Sequence, residues 1–507
     1  MKNFICILLC LSVFLTLFAS CKEKEPDETE TTVSVEETVK PEEEKEFIPT
    51  LGYYSYESFN PFTTESKTNK NILSLVYDSL FKLDENYNAV GEIAESYLYE
   101  DGFLTVQLKE NLLFSDGSAL TASDVAYSFT ISQSAPLYSS HLKNFKSCRA
   151  EDGSVVFSLY TPDIYAVNCL DFPIVKHSTA GDSKPVGSGR YVLNQKDNSY
   201  YLTENSRYSL DEVLEQKRIN LYDINNTRNE YYLLQIGELS FVYNDFTSPS
   251  PEYKITASTA DVSLNNLVFL SFNKKSESLS DKLIKEAVNS AIDKEEICRT
   301  IYGSMADTCK TPFNPYWSVT SNFNEDNTEK LPAGELLNKS GYIFEYENNE
   351  YRSKDFEYLK LTFIASSEDG KKAELSKLIA DKLRKEGIDV NLQIMENDDF
   401  LDALRDGDYD MYLGEVKLSA DMNLSSFFST SGKLSYGIDT ESTISKAYFD
   451  FKAGKIDITT FTKVFEEQLP FIPLCYRKGV AYYSRELQYE GGISENDIFA
   501  NIYSWSK

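Results

Sequence analysis

Histidine and cysteine, the side chains most typical of metal sites and nucleophilic catalysis, are few in this sequence of 507 residues. Its two histidines are His141 and His177, and no His-Glu-x-x-His, Gly-x-Ser-x-Gly or Cys-x-x-Cys motif occurs. Five cysteines follow Cys21, an odd number, and Cys298 and Cys309 are close enough in sequence to pair if the geometry allows. Without a Cys-x-x-Cys pair and with only two imidazoles, a zinc site is not expected, and the motifs of serine and zinc hydrolases are missing. The sequence therefore predicts no enzyme, no cofactor and no metal site.

A glycine-rich stretch, Gly187–Arg190, is the one pattern that could suggest phosphate binding. A phosphate-binding loop continues into Lys and Ser or Thr, and a dinucleotide-binding loop has a different glycine spacing. Neither pattern is present. The stretch instead predicts a tight turn before a strand that begins at Tyr191.

The chain begins with a segment that predicts export. Lys2 precedes the apolar stretch Phe4–Phe18, which is too short for a membrane span and is typical of a signal peptide. The stretch LFASC, Leu17–Cys21, resembles the lipobox of bacterial lipoproteins, in which the cysteine becomes the first mature residue and carries lipid. That resemblance implies a lipoprotein signal peptide over residues 1–20 and an anchor at Cys21, on the outer face of the cytoplasmic membrane or in the periplasm. The alternative is an ordinary cleaved signal peptide.

Residues 21–46 continue as an acidic segment with almost no large apolar side chains. Such a composition cannot bury enough surface to fold, so a disordered tether is expected. The part from Lys22 to Glu46 carries −7 of the net charge of −30, so the rest of the chain is acidic as well. An acidic protein lacks the basic footprint of nucleic-acid binding, so no nucleic-acid partner is expected.

The folded part from Phe47 onward has about 460 residues, too many for one ordinary core, so two or three lobes are expected. Thr121 and Asp124 predict a capping box at the start of a helix. Apolar residues on one face of residues 71–82 predict a second helix. Ser280 and Asp293 predict the N-caps of two more.

A β–α–β unit is predicted in the second half of the chain. It consists of a strand over Leu359–Ala365, a helix over Gly370–Glu386 and a strand over Ile388–Met395, with a further strand over Gly407–Leu413. Such a unit implies a parallel strand pair with a right-handed crossover.

Six blocks of sequence, in order, resemble the family 5 extracellular solute-binding proteins of ABC importers, the dipeptide-, oligopeptide- and nickel-binding group. In two of them a usual proline is replaced, by Gly91 and by Arg190. The blocks are Asn60-Pro61 with LVYDSLFKLDENYNAVGEIAESY, LLFSDGSALTASDVAYSF, PVGSGRYVL, EAVNSAIDKEEICRTIYG, GELLNKSGY and LPFIPL.

The resemblance implies an α/β, two-lobed periplasmic-binding-protein-like fold of the class II type, with a ligand cleft between the lobes. Lobe one would comprise residues 47–265 with 475–507, enlarged by an extra subdomain, and lobe two residues 266–474. The implied function is to capture a peptide-like ligand in the cleft and to deliver it, as a monomer, to an ABC permease and its ATPase. Closure over a ligand by a hinge motion is expected of such folds.

The resemblance also points to ligand contacts in Gly414–Ser425. Peptide binders of the family place an aspartate, after a Gly-Trp element, against the amino terminus of the ligand. Asp421 occupies the similar place here, and Glu415 stands where tryptophan is common. Asp421 could instead be a loop carboxylate or a helix cap before Leu424–Phe428, and Glu415 a solvated residue at a strand end.

Aromatic residues complete the candidate ligand site. Tyr53 and Tyr54 lie on the first strand, where the family's chain approaches the cleft, and strand alternation allows only one of them to face a ligand. Trp317 could stack on a ligand or simply cover a loop.

Several functions stay open as alternatives. The cargo could be a nickel or haem chelate or a sugar instead of a peptide. The chain could also act as a sensor or adhesin without transport, or as an enzyme with paired carboxylates. Among 80 acidic residues, however, two that lie close together would be no evidence for catalysis.

Overall fold

The computed structural model describes residues 47–209, 214–227, 229–246, 256–320, 331–346, 349–485, 487–488 and 491–506. The predicted signal peptide, Cys21 and the acidic tether lie outside these residues. Residues Phe47–Lys507 group as one unit. Within the described ranges, no helix is both long enough and apolar enough to cross a membrane.

The strands, in chain order, are β1 (Thr50–Tyr53), β2 (Phe81–Leu83), β3 (Ala89–Gly91), β4 (Ala94–Glu100), β5 (Phe103–Leu108), β6 (Phe145–Glu151), β7 (Ser154–Leu159), β8 (Tyr191–Lys196), β9 (Ser199–Glu204), β10 (Arg218–Asp223), β11 (Phe241–Asn244), β12 (Ser258–Phe272), β13 (Ala306–Thr308), β14 (Ser353–Lys354), β15 (Glu357–Tyr358), β16 (Lys360–Ser366), β17 (Asp389–Met395), β18 (Met411–Lys417) and β19 (Phe471–Tyr483). The α-helices are α1 (Lys67–Leu73), α2 (Ala122–Ser132), α3 (Glu230–Gln235), α4 (Lys282–Ala291), α5 (Lys294–Thr300), α6 (Ala333–Lys339), α7 (Gly370–Lys385), α8 (Asn397–Asp406), α9 (Ser425–Phe428), α10 (Thr443–Lys452) and α11 (Ile458–Gln468).

The strands form three larger sheets. One has the order β1-β10-β9-β8, and the second, β4-β5-β7-β6, is antiparallel throughout. The third has the order β11-β19-β12-β18-β16-β17, with β13 added beside β19. In this third sheet β16 runs parallel to both β17 and β18. Two short hairpins, β2-β3 and β14-β15, stand apart from the larger sheets.

Two main cores share the third sheet. The first core draws on residues from Leu51 to Val262 and again from Ala481 to Trp505. The second draws only on residues from Val268 to Cys475. The long strands β12 and β19, of 15 and 13 residues, contribute apolar side chains to both cores. The chain therefore passes from one core to the other within two paired strands.

A third, aromatic-rich core lies where the two parts of the chain meet. It contains Leu83 and Tyr87 from the early part, and its other buried members come from residues 267 to 476. Asn168 donates from its amide to the Tyr87 carbonyl at 2.9 Å, and Asn314 donates to the Tyr87 hydroxyl at 3.1 Å. The early part is thus packed against the later one by buried contacts.

The predicted capping box and the β–α–β unit are confirmed. The Asp124 carboxylate accepts from the Thr121 backbone N–H at 3.0 Å, and the box at the start of α2 is complete. Strands β16 and β17 are parallel and joined by α7. Asp293 caps α5 by accepting from the Glu296 N–H at 2.9 Å. These elements depend on neighbouring residues, which explains why sequence patterns find them.

The predicted helix over residues 71–82 is wrong. The helix found there, α1, ends at Leu73, and the next residues use their backbone groups elsewhere. The Val76 carbonyl accepts from the Gly189 N–H at 2.9 Å, and the Ser79 carbonyl accepts from the Ile93 N–H at 3.1 Å. These hydrogen bonds to residues far along the chain take the place of the i to i+4 hydrogen bonds of a helix, although the spacing of the apolar residues favours a helix.

Two smaller predictions also need correction. Asp281, one residue after Ser280, caps α4 by accepting from the Leu283 N–H at 2.9 Å. The strand predicted from Gly407 begins at Met411, because Gly407 adopts a φ of 80° and ends α8.

The strand predicted to begin at Tyr191 is confirmed as β8, and the chain bends at Gly189 and Arg190 before it. A Cβ atom at Gly187 would lie 2.2 Å from the Val76 carbonyl oxygen, and one at Gly189 would lie 2.7 Å from the Leu75 oxygen. The glycines are therefore required by close packing of backbone on backbone.

The five cysteines among the described residues are free thiols, so the possible pairing of Cys298 with Cys309 is not found. The same part of the chain contains no group of three or more His, Cys, Asp or Glu side chains arranged to hold a metal ion.

Candidate functional site

Two clusters of buried charge lie where the first core meets the rest of the structure. The first, named here the Glu415 cluster, consists of Glu415, Arg477, Lys372 and Asn266. The second, the Lys452 cluster, consists of Asp163, Asp421 and Lys452. Neither could be assembled from local spacing, because each draws on separate parts of the chain.

The Glu415 cluster is built at the carboxyl ends of the parallel strands β16 and β18. Glu415 lies near the end of β18, and Lys372 lies in the first turn of α7, the helix that follows β16. Ligands of open α/β sheets bind beyond the carboxyl ends of the strands, next to the helix N-termini. The position of this cluster is therefore suited to ligand binding.

The carboxylate of Glu415 is surrounded by donors. Arg477 Nη1 lies 3.0 Å from one oxygen and Lys372 Nζ lies 3.7 Å from the other, while the Asn266 amide donates at 3.0 Å. The side chains of Arg477 and Glu415 are only 7% and 9% exposed. Burial opposes the charge on Arg477, but the Glu415 carboxylate outweighs this effect and raises the pKa of the guanidinium.

The Glu415 cluster reaches across the junction and also contains unsatisfied polar atoms. Arg477 donates a second hydrogen bond to the carbonyl of Phe246, which follows β11 in the early part of the chain. The Asn266 Oδ1 atom and the Tyr302 hydroxyl are buried and have no hydrogen-bond partner among the described residues. Arg477 lies 5.9 Å from the Tyr302 ring centre. A polar ligand could satisfy these atoms, since buried polar groups normally have partners.

The Lys452 cluster contains one ammonium group and two carboxylates. Lys452 Nζ lies 3.0 Å from an oxygen of Asp163 and 3.4 Å from an oxygen of Asp421, and all three side chains are at most 4% exposed. Lys452 also donates to the Asp421 carbonyl, and the Asn423 amide donates to the Asp421 carboxylate at 3.2 Å. The lysine is therefore the internal partner of the carboxylate predicted to meet a ligand.

The charges in the Lys452 cluster shift one another's pKa values. Burial disfavours every charged form, but the two carboxylates raise the pKa of Lys452 and the ammonium lowers the pKa of Asp421. For Asp163, burial has the largest effect and raises the pKa. The nearby Asp421 raises the pKa further, and the Lys452 ammonium lowers it only in part, so the pKa of Asp163 is about 8.

Local contacts explain how these three residues meet. Lys452 is the last residue of α10, Asp421 follows β18, and Asp163 lies in the loop after β7. The Ile164 N–H donates to the Lys452 carbonyl at 2.9 Å, and the Asn168 amide donates to the Ala420 carbonyl at 3.3 Å. These bonds fix the loop after β7 against the end of α10.

Among the aromatic candidates, Tyr53 and Trp317 are buried. Tyr53 is 2% exposed and packs against Phe59 and Tyr200, with ring centres 5.5 and 5.8 Å away. Trp317 is 1% exposed, and the rings of Tyr165 and Phe313 lie 4.8 and 5.3 Å from it. Contact of either ring with a ligand would require this packing to open.

Tyr54 points away from the first core. It is half-buried, and its hydroxyl lies 3.4 Å from Glu230. Tyr54 follows β1, which ends at Tyr53, and neither tyrosine belongs to the charged clusters. Ligand contact by any of the five predicted residues stays a prediction.

Sequence reasoning missed Asp163, Lys372, Lys452 and Arg477. For Lys452 a signal existed: it shares the buried face of α10 with Ile444, Tyr448 and Phe451, an unusual place for a lysine. Asp163 and Lys372 carried no comparable signal.

A pocket with about 40 Å³ of space for water-sized molecules lies between the early part of the chain and residues 496–497, and not at the charged clusters. Both lysine and acidic side chains face it. Its charged lining residues are Lys70, Lys82, Glu92, Asp171 and Asp497.

Comparison with known proteins connects this geometry to a family. The model of bacterial extracellular solute-binding proteins, family 5, matches residues 88–451. The oligopeptide-binding protein AppA of Bacillus subtilis strain 168 is 23% identical over 374 residues, which cover 67% of each chain.

Solved structures share the fold. AppA in complex with a nonapeptide has a TM-score of 0.55 at 20% identity, covering 90% of this chain and 98% of that one. A nickel ABC transporter structure from Bacillus halodurans has a TM-score of 0.74 at 17% identity, with coverage of 90% and 98%. The fold is therefore the two-lobed α/β fold of the class II type, as expected from the sequence.

Proposed function

The chain belongs to the bacterial extracellular solute-binding proteins of family 5, and we propose that it is the substrate-binding protein of an ABC importer. In this role it captures a peptide-like ligand between its lobes and delivers it, as a monomer, to a permease and its ATPase. The family match over residues 88–451 carries the proposal, because the family is one of solute-binding proteins and not of enzymes. The relative AppA, named for oligopeptides and solved with a nonapeptide, supports a peptide as the cargo.

We propose lobe boundaries that lie close to the division between the two cores. Lobe one comprises residues 47–265 with 475–507, and lobe two comprises residues 266–474. The first and second cores divide the chain in the same order, and β12 and β19 join them. A pair of strands that continues from lobe to lobe is a suitable hinge.

The Glu415 cluster is the proposed centre of cargo binding. The Asn266 oxygen of this cluster and the neighbouring Tyr302 hydroxyl can bond the amide groups of a peptide. Arg477, in the proposed lobe one, connects Glu415 of lobe two with the Phe246 carbonyl of lobe one. Asp421 is proposed as a second contact, with Tyr54 at the edge. Tyr53 and Trp317, both buried, are proposed contacts only of a more open conformation.

Native mass spectrometry of the protein, purified without unfolding, tests the cargo. We expect a set of added masses that fragment as peptides, or binding of members of a di- to nonapeptide library. A bound metal chelate or sugar would replace the peptide assignment within the same family. A protein that neither retains nor binds any peptide would contradict the proposal.

We also propose that the mature chain is anchored through lipid on Cys21, supported by the resemblance of Leu17–Cys21 to a lipobox. Cys21→Ser is expected to abolish incorporation of an alkyne-tagged fatty acid in the native host and to release the protein from membranes. Two acyl chains suffice for stable anchoring, so the loss should be nearly complete. Cys10→Ser, in the same signal segment, is the matched control and should keep the label. Label that persists in Cys21→Ser would contradict the anchor.

A further inference from the structure

We propose that the Lys452 cluster is a proton-dependent latch between the two lobes. With one proton bound, the cluster is neutral and holds the lobes together; after loss of that proton, it favours their separation. The proposal uses the two-lobed fold and the lobe boundaries proposed above, and it does not depend on the identity of the cargo.

The latch follows first from a count of charges. Two carboxylates share one ammonium group in a site that is at most 4% exposed. Lys452 is the one cation, among the described residues, that pairs with Asp163 or Asp421. With both acids ionised, the site would hold a buried net negative charge, which is strongly disfavoured. The cluster therefore either binds a proton or gains access to water.

The geometry provides a place for that proton. One oxygen of Asp163 and one of Asp421 lie 3.0 and 3.4 Å from the same Lys452 nitrogen, so the two acids share one site and either could carry the proton. Asp421 has additional donors in Ser419 and Asn423, which favour its ionised form. Asp163 is accordingly the acid that keeps the proton.

The cluster also spans the lobe junction. Asp163 lies in the proposed lobe one, whereas Asp421 and Lys452 lie in the proposed lobe two. The bond from the Ile164 N–H to the Lys452 carbonyl, at 2.9 Å, crosses the same junction beside the cluster. Separation of the lobes would break this bond and admit water to both acids.

Other titratable groups around Asp163 do not supply a competing charge near neutral pH. Tyr99 accepts from the Asp163 N–H at 3.1 Å, and Tyr165, Cys169 and Tyr448 complete the surroundings. Burial raises the pKa of the hydroxyl or thiol in all four, so each stays neutral.

The sign of the pH effect follows from the two states of Asp163. In the latched state burial raises its pKa to about 8, whereas in water an aspartate has a pKa of about 4. Between these values the latched state binds a proton that the open state does not. Latching is therefore favoured as the pH falls towards 4 and is lost as the pH rises through about 8.

Hydrogen exchange of the Ile164 amide in the full chain, without cargo, tests the latch. Its protection factor, corrected for intrinsic exchange, is expected to fall at least about tenfold between pH 6 and pH 8. The variant Asp163→Asn, which carries a neutral amide, should show no such fall. Asp152→Asn, at an exposed turn, is the matched control and should behave as the unaltered protein does.

Three results would overturn the latch. One is equal Ile164 protection at both pH values in the unaltered protein, a comparison that needs no variant. Another is a fall that persists in Asp163→Asn. The third is an equal fall for the amides of β5 inside lobe one, which would show a change in the whole fold. Failure of peptide binding would leave this test unaffected, so the two proposals can fail separately.

Discussion

Replacement of Lys452 by methionine is expected to lower the free energy of unfolding by about 3–5 kcal/mol. The substitution keeps most of the apolar stem but removes the ammonium that lies 3.0 Å from Asp163 and 3.4 Å from Asp421. Two buried acids would then be left without a cation. Urea denaturation, followed by the fluorescence of Trp317 and Trp505, measures the loss.

Two further variants show whether charge is the cause. Lys455→Met, three residues on, removes a lysine that is 69% exposed and that pairs, within the described part of the chain, with Asp450 alone, so it should cost at most about 1 kcal/mol. Asp421→Asn added to Lys452→Met removes one stranded charge and should recover part of the stability. A Lys452→Met protein as stable as the Lys455→Met control would contradict the assigned role of the ammonium.

The Glu415 cluster gives the second large effect. Glu415→Gln and Arg477→Gln are each expected to cost about 2–4 kcal/mol, because each leaves buried opposite charge without its partner. In a double-mutant cycle the pair should show a coupling of about 2–3 kcal/mol, since the two groups lie 3.0 Å apart and are less than 10% exposed. Denaturation of the four proteins gives the coupling energy.

The matched control is the surface pair of Lys282 and Glu286, at 3.1 Å on the exposed side of α4. Its coupling should be about 0.5 kcal/mol or less despite a similar distance. If the two pairs gave equal coupling energies, burial would not be what makes the Glu415 cluster important. The peptide affinity of the two Gln variants, measured in the same study as their free energy of unfolding, shows whether the cluster also binds cargo.

The sequence predicted best what depends on neighbouring residues. The capping box of Thr121 and Asp124 and the β16–α7–β17 unit each lie within a short stretch, and the family blocks added the two-lobed fold. The helix predicted over residues 71–82 failed because Val76 and Ser79 bond to residues far along the chain. Apolar periodicity reports which side chains can be buried, but it does not report which backbone partners are available.

The candidate site was less predictable for the same reason. Asp421 and Glu415 could be chosen by resemblance, but their partners Lys452 and Arg477 could not. The partners lie far from them in the sequence, and no fixed spacing identifies two residues that only the fold brings together. Only the position of Lys452 among the apolar residues of α10 indicated in the sequence that a charged group would be buried. In acidic chains, a lysine on the apolar face of a helix therefore predicts buried carboxylate partners elsewhere in the sequence.

The order of β12 and β19 in the chain has a consequence for biosynthesis. The β19 strand lies between β11 and β12 and also pairs with β13, yet it is made last of the sheet's strands, at residues Phe471–Tyr483. Neither lobe has its full complement of strands until this segment has been translated. A nascent chain that stops short of Phe471 lacks the strand that both cores share, so neither lobe can be complete before the last part of the chain is made.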